Sequence, residues 1–242
     1  MCVIFVSYKQ REDYPLIIAA NRDEFYDRPT AAATRWEDYP KIYAGRDLVS
    51  KGTWLGVNDD GRFAAVTNFR DPDQNRGNSS RGALVADFLK KAIDVEDYLE
   101  GIRKRGADYT GFNLLAGEFD PSTGRLMYFS NRKSEPEELT PGVYGLSNHL
   151  LDTPWPKVVK GKAKFNSVLS STNIDKEALF RLLEDREMAH DDDLPDTGVG
   201  IDRERFLSPI FIKTPIYGTR CSTVLTFDKK GTWDLDEKVW VP

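Results

Sequence analysis

Short apolar runs separated by tight turns recur along this chain, and they constrain its fold more than any other feature. The runs Cys2–Tyr8 and Pro15–Asn21 flank a charged segment, and Asp59-Asp60-Gly61 separates two apolar runs within residues 53–69. Turn residues between β-branched or aliphatic runs are typical of β-hairpins. Further strands are predicted around residues 121–124, over residues 142–148 and within residues 211–240. The sequence therefore predicts sheets built by antiparallel pairing.

Helical periodicity marks the segments between these hairpins. Apolar residues fall on one helix face within residues 79–91, where Ser79 or Ser80 is available as N-cap. Further helices are predicted over residues 95–105, with Asp94 as N-cap, and over residues 155–170 and 175–187. Exposed loops are predicted over residues 22–51 and 190–200. This order favours an α+β fold, with two antiparallel sheets and helices outside them, over a parallel doubly wound sheet.

The bulk composition is that of one globular domain spanning residues 1–242. Apolar residues make up 40% and charged residues 30% of the chain, so it can bury a core. A net charge of −5 argues against broad attraction to nucleic acid or anionic lipid. Because the first apolar run is too short for a signal sequence or a membrane span, we expect a cytoplasmic protein.

Cysteine and histidine are scarce, which limits the available chemistry. The two cysteines, Cys2 and Cys221, do not suffice for a disulfide scaffold, so we expect reduced thiols. His149 and His190 are the only histidines, and no metal site or Ser-His-Asp triad is predicted. Proton transfer would therefore need another base.

Cys2 follows the initiator methionine directly, and this position offers such a base. Removal of Met1 would leave a residue that carries both a thiol and a free α-amine. Reference pKa values of ~7.7–8.0 for the amine and ~8.5 for the thiol suit proton exchange near neutrality. The alternative is that Cys2 is a small buried residue that begins a strand. Asp23 lies at the far end of the returning strand, and a hairpin would bring it beside the chain start.

A set of sequence blocks carries a family resemblance. The blocks are MCVIFV from Met1, ANRDEFYDRPT from Ala20, GTWLGVNDDGRFAAVTNFR from Gly52, SRGALV from Ser80, GFNLL from Gly111, YGLSNHLLDTPWPK from Tyr144 and YGTRCSTVL from Tyr217. In these blocks the chain resembles the NRDE family of transport and Golgi organisation protein 2 relatives. More distantly, it is similar to N-terminal nucleophile amidohydrolases of the choloylglycine hydrolase and penicillin V acylase group. The resemblance implies a four-layer αββα sandwich and a nucleophile exposed by removal of the preceding residue.

The resemblance also implies a set of site residues. The positions that match the acylase site are Cys2, Asp23, Asn68, Asn148 and Arg220, all expected to be catalytic. Asp23 would orient the ammonium, Asn68 would donate to an oxyanion, and the last two would position the substrate. Asn21 and Arg22 are expected to bind substrate. However, neighbouring strand residues face opposite ways, so Arg22 and Asp23 should share a site only where the strand has ended.

Several of these residues also have a structural interpretation. Asn68 can begin a turn, Asn148 can cap a segment, and Arg220 can be a surface arginine. Cys221 is predicted to be a packing residue, although the neighbouring guanidinium could lower the pKa of its thiol. Asn68, Asn148 and Arg220 occur together in the order of the family, and this joint occurrence favours a functional site.

The resulting hypothesis is a Cys-dependent hydrolase of the N-terminal nucleophile type, acting on a small linear amide or related acyl compound without a cofactor. The alternative is a non-catalytic carrier of haem or of an acyl or lipid ligand on the same fold, as suggested for eukaryotic relatives. Class II glutamine amidotransferases also begin with Cys, but Val3 replaces their usual glycine and no length remains for a second catalytic domain. The expected partner is a small molecule, and the sequence does not indicate an oligomeric state.

Overall fold

The structure is a computed structural model that describes residues 2–72, 77–120 and 124–241. Within these ranges the strands are β1 (Cys2–Tyr8), β2 (Leu16–Phe25), β3 (Thr30–Arg35), β4 (Ile42–Asp47), β5 (Leu55–Asn58), β6 (Arg62–Asn68), β7 (Phe112–Phe119), β8 (Gly124–Ser130), β9 (Glu137–Glu138), β10 (Gly142–Leu146), β11 (Tyr217–Phe227) and β12 (Trp233–Val239). The α-helices are α1 (Arg81–Lys90), α2 (Val95–Arg103), α3 (Pro156–Leu169), α4 (Lys176–Leu183) and α5 (Ile201–Leu207).

The strands form two antiparallel sheets. Sheet A has the order β10-β1-β2-β11-β12, and sheet B has the order β3-β4-β5-β6-β7-β8-β9. The first hairpin, β1–β2, lies inside sheet A, with β10 on one side and β11 on the other. The prediction of two antiparallel sheets is confirmed.

Three apolar clusters hold the layers together. Alternating residues of the strands fill the space between the sheets, among them Ile4, Ile18, Phe63, Leu115 and Phe227. The other face of sheet A packs under α3 and α4, and the other face of sheet B packs under α1 and α2. This alternation has the period of two that strands impose, and it gives the expected four-layer αββα arrangement.

The segment that follows the first hairpin differs from the prediction. Strand β2 continues to Phe25, and β3 and β4 form a hairpin at the edge of sheet B. The prediction of an irregular loop over residues 22–51 is therefore wrong. The stretch TAAATR of β3 has three alanines and no Val, Ile or aromatic residue, so its strand preference is weak, and pairing through β4 to β5 determines its structure.

The helices lie close to their predicted positions. Asp94 caps α2 and accepts a hydrogen bond from the backbone N–H of Glu96, whereas Ser80 occupies the N-cap of α1 without a side-chain bond. Helix α5 was not predicted, because it is too short to show a clear apolar period. Residues 121–123 of the predicted turn lie outside the described residues. In the described part of the chain, no helix is long and apolar enough to cross a membrane.

Candidate active site

Strand register places Cys2 next to the polar end of β2. In the pairing of β1 with β2, Cys2 lies opposite Arg22. In the pairing of β11 with β2, Cys221 lies opposite Arg22 and Thr219 lies opposite Asp23. The even-numbered residues of β1 face the space between the sheets, so Cys2 points toward sheet B. The hairpin has brought Asp23 beside the start of the chain, as predicted.

A polar cleft of about 250 Å³ opens at Cys2. Its walls come from the ends of β1 and β2, from sheet B and from the first turn of α1. The lining residues are Cys2, Arg22, Asp23, Glu24, Arg28, Asp47, Ser50, Thr53, Trp54, Val66, Asn68, Ser79, Ser80, Arg81, Gly82 and Thr110. Cys2 is half-buried, whereas Cys221 is only 4% exposed. Of the two thiols, Cys2 therefore has access to this cleft.

The surroundings of Cys2 favour the neutral thiol. Burial raises the pKa of the Cys2 thiol, and the negative charge of Asp23 acts in the same direction. A hydrogen bond from the backbone N–H of Asp23 and the charge of Arg22 act against this rise. Because the resting sulfur is protonated near neutral pH, a nucleophilic role requires a nearby group that takes the proton.

Asp23 is a buried carboxylate held by the neighbouring strand. It is 2% exposed, and its Oδ1 accepts a hydrogen bond of 2.7 Å from the Thr219 hydroxyl. Burial raises the pKa of Asp23, while the positive charge of Lys157 and the Thr219 hydrogen bond act against this rise. The carboxylate is thus fixed in position next to the chain start.

Lys157 is a residue of this region that the sequence reasoning missed. It is 4% exposed, and its Nζ donates to the backbone oxygen of Leu207 at 2.8 Å. Burial lowers the pKa of Lys157 to about 8, and the charge of Asp23 opposes this change. The signal was available, because Lys157 shares the buried stripe of α3 with Gly161 and Phe165 at a spacing of four residues.

Arg22 and Asp23 both line the cleft, although β2 continues beyond them to Phe25. Their side chains have different neighbours: the Arg22 guanidinium lies over Trp54, which packs against the core between the sheets, whereas the Asp23 carboxylate accepts from Thr219 and is acted on by the charge of Lys157 of α3. That both act on one substrate stays a prediction. A β-bulge lies beside them on β11, where Arg220 is the extra residue between Thr219 and Cys221. A bulge bends the strand that carries it and increases the local twist, so the pairing beside Arg22 and Asp23 is irregular.

Asn68 and Asn148 are linked but lie in different places. Asn68 ends β6 and lines the cleft. Asn148 is fully buried and is not among the cleft residues; its Nδ2 donates to the backbone oxygen of Asn68 at 3.0 Å. The neighbouring Ser147 donates to the backbone oxygen of Cys2 at 3.2 Å. This segment therefore ties the end of β6 to the start of β1.

Asn21 and Arg220 also lie outside the cleft lining. The Nδ2 of Asn21 donates to the backbone oxygens of Leu183 and Ile210, so this side chain joins sheet A to the chain on its helical side. Arg220 donates to three backbone oxygens of the segment after β2, those of Phe25, Tyr26 and Arg28. The geometry thus gives both residues supporting contacts, and their expected roles in catalysis and substrate binding stay predictions.

The lining of this cleft differs from a typical haem pocket, although it includes Cys2, a possible axial ligand. Its walls carry guanidinium, carboxylate and hydroxyl groups rather than the apolar surface that surrounds a large planar ligand, and neither His149 nor His190 lines it. Among the described residues, no group of three or more His, Cys, Asp or Glu is arranged to hold a metal ion.

The arrangement of sheets and helices defines the class of fold. The structure matches that of a mutant form of conjugated bile acid hydrolase from Clostridium perfringens, with a TM-score of 0.56 and 9% sequence identity over 99% of this chain and 92% of that chain. The chain therefore has the fold of the N-terminal nucleophile hydrolases. At this identity the likeness concerns the fold alone.

Sequence comparison gives the family. The family model "Transport and Golgi organisation 2" matches residues 1–242. The Transport and Golgi organization protein 2 homolog of Bos taurus is 38% identical over 255 residues, covering 98% of this chain and 92% of the relative, and the human homolog is 36% identical with the same coverage. The chain belongs to the Transport and Golgi organisation 2 family, which confirms the resemblance seen in the sequence blocks.

Proposed function

We propose that the chain is a cysteine-dependent hydrolase of the N-terminal nucleophile type that cleaves small linear amides or related acyl compounds. The observation that carries this proposal is the position of Cys2, half-buried in a polar cleft beside the buried carboxylate of Asp23. A thiol can act on a carbonyl only where the substrate can approach, and this cleft meets that requirement. Cys221 is 4% exposed and does not line this cleft.

The proposed reaction needs no histidine. Removal of Met1 frees the Cys2 α-amine, which takes the thiol proton as the sulfur forms a bond to the carbonyl carbon. The C–N bond then breaks, the leaving amine takes the proton from the ammonium, and a thioester remains on Cys2. Water hydrolyses the thioester, which releases the acid and restores the thiol. The Asp23 carboxylate would hold and orient the ammonium through both steps.

Asn68 is the proposed donor to the oxyanion that forms during the attack. It lines the same cleft as Cys2, and the hydrogen bond from Asn148 to its backbone oxygen fixes the end of β6. Fixed donors stabilise a developing oxyanion because they need no reorganisation, and one such donor typically contributes about 10²- to 10³-fold in rate. In this proposal Asn148 acts through Asn68 rather than on the substrate.

The test is hydrolysis of a panel of fluorogenic acyl amides by protein with a verified N-terminus. Cys2→Ala and Cys2→Ser are compared with Cys221→Ala, a matched change of the other thiol. We expect product formation to depend on Cys2 and to survive in Cys221→Ala. Equal product formation by the wild type and Cys2→Ala would contradict the proposal. Binding of the panel compounds without product formation would also contradict it, and would favour a carrier.

A further inference from the structure

The cleft lining carries three guanidinium groups and three carboxylates, but they do not pair one to one. Two of its carboxylates already have a cationic neighbour: Asp47 is 2.7 Å from the Arg28 guanidinium, and Glu24 is 4.0 Å from it. Asp23 is engaged by Thr219 and by the charge of Lys157. Among the described residues, the remaining cations of the lining, Arg22 and Arg81, form no direct ion pair with a carboxylate of the cleft, although the charge of Glu24 acts on Arg81.

Arg22 is held in place by other contacts. Its guanidinium lies over the ring of Trp54, 4.1 Å from the ring centroid, and donates to the Thr30 hydroxyl at 3.0 Å. It also lies directly opposite Cys2 in the strand register. These contacts hold the Arg22 guanidinium in place beside Cys2, where its positive charge acts to lower the pKa of the thiol.

Arg81 is the less constrained of the two. It donates to the backbone oxygen of Gly111 at 3.2 Å and, among the described residues, forms no ion pair with a carboxylate. It is the first residue of α1, and the first turn of that helix contains no acidic residue. Because a helix N-terminus carries partial positive charge, a cation there is unfavourably placed. Burial lowers the pKa of Arg81, while the charges of a Cys2 thiolate and of Glu24 oppose this change. Arg81 and Cys2 line the same cleft.

We propose that Arg81 binds a carboxylate carried by the substrate, so that the protein selects acyl compounds such as N-acyl amino acids over neutral amides. This inference rests on the proposed function, since it takes Cys2 as the reacting group. The planar fork of a guanidinium matches the two oxygens of a carboxylate. Ser79, Ser80 and Thr110 line the same cleft and supply neutral donors.

Alkylation of Cys2 tests the anion site without requiring turnover. Iodoacetate and iodoacetamide both replace iodide by the Cys2 sulfur, and their rates share the same dependence on the thiolate. Both rates are followed by mass spectrometry of the Cys2 peptide. The ratio of the iodoacetate rate to the iodoacetamide rate therefore isolates the effect of the carboxylate. In Arg81→Gln we expect this ratio to fall about 10-fold, the order expected for one charge-assisted contact. Arg81→Lys should keep most of the ratio, and Arg181→Gln, a change of an exposed arginine on α4, should leave it unchanged.

An unchanged ratio in Arg81→Gln would overturn the inference. Equal falls in both rates would also overturn it, because Arg81 would then act on the thiol rather than on the reagent. Circular dichroism of each variant verifies the fold, and Arg81→Lys supplies a second variant that retains the charge.

A matched pair of substrates separates this inference from the proposed function. With an N-acylglycine and the corresponding N-acylglycinamide, the wild type should prefer the acid, and Arg81→Gln should lose about 10- to 100-fold of that preference in kcat/KM. If neither compound is hydrolysed while the alkylation ratio still depends on Arg81, the hydrolase proposal fails and the anion site stands. If both compounds are hydrolysed without preference, the hydrolase proposal stands and the anion site fails.

Discussion

Replacing Lys157 by methionine should change how the stability of the protein depends on pH. Lys157 lies buried on α3 near Asp23, and burial lowers its pKa from 10.5 to about 8. At about 1.4 kcal/mol per pKa unit, this shift corresponds to roughly 3 kcal/mol of unfolding free energy. Methionine has a similar length and no charge, so it removes the titration while it fills much of the same space.

The sign follows from which state holds the proton. Below the folded pKa of about 8 the amine is charged in both states, so the full cost of burying the charge is present. As the pH rises from there toward the unfolded value of 10.5, the unfolded chain holds a proton that the folded chain has lost. The free energy of unfolding of the wild type should therefore gain up to about 3 kcal/mol relative to Lys157→Met over this range.

Urea unfolding of the two proteins at intervals between about pH 7 and pH 10 measures this difference, since most other titrations are common to both. Lys164→Met is the matched control, because Lys164 lies on the same helix with an exposed side chain, and its profile should run parallel to that of the wild type. A profile of Lys157→Met that is also parallel to the wild type would refute the reasoning.

Three further substitutions test the packing, with urea unfolding as the assay for each. A Cβ at Gly161 would lie 2.0 Å from Cζ of Phe5, and Gly161→Ala should cost roughly 1–3 kcal/mol of stability. Nothing lies within 4 Å of a Cβ at Gly101, so Gly101→Ala within α2 should add about 0.5–1 kcal/mol. Arg70 and Glu204 form an ion pair with side chains 6% and 3% exposed, and Glu204→Gln should cost roughly 3–5 kcal/mol because it leaves a buried charge uncompensated. Losses under about 1 kcal/mol for Gly161→Ala or Glu204→Gln, or any loss for Gly101→Ala, would contradict the packing described above.

The elements that could be predicted are those with a strong local signal. The hairpins carry both a period of two and a turn, as at Asp59-Asp60-Gly61, where Gly61 adopts a φ of +76°. Helix α2 has an apolar stripe and an Asp94 cap. Strand β3 has neither signal, and its pairing with β4 depends on tertiary context that no local pattern records.

The candidate site was predicted in part. The return of a hairpin to its own start was enough to bring Asp23 beside Cys2, because register follows from the turn. The bulge at Arg220 depends on the pairing of β11 with β2, which lie far apart in the sequence, and could not be predicted from one segment. Arg81 was also missed, because only the packing of α1 against sheet B brings it to the cleft.

The most direct test of the central claim is the intact mass of the protein before and during reaction with an activated acyl ester. We predict a chain that lacks Met1, an acyl adduct that forms on Cys2 and then disappears as the thioester is hydrolysed, and no adduct in Cys2→Ala. A fully active chain that retains Met1, or an adduct confined to Cys221, would contradict the claim that the first thiol and its own amine form the reacting centre.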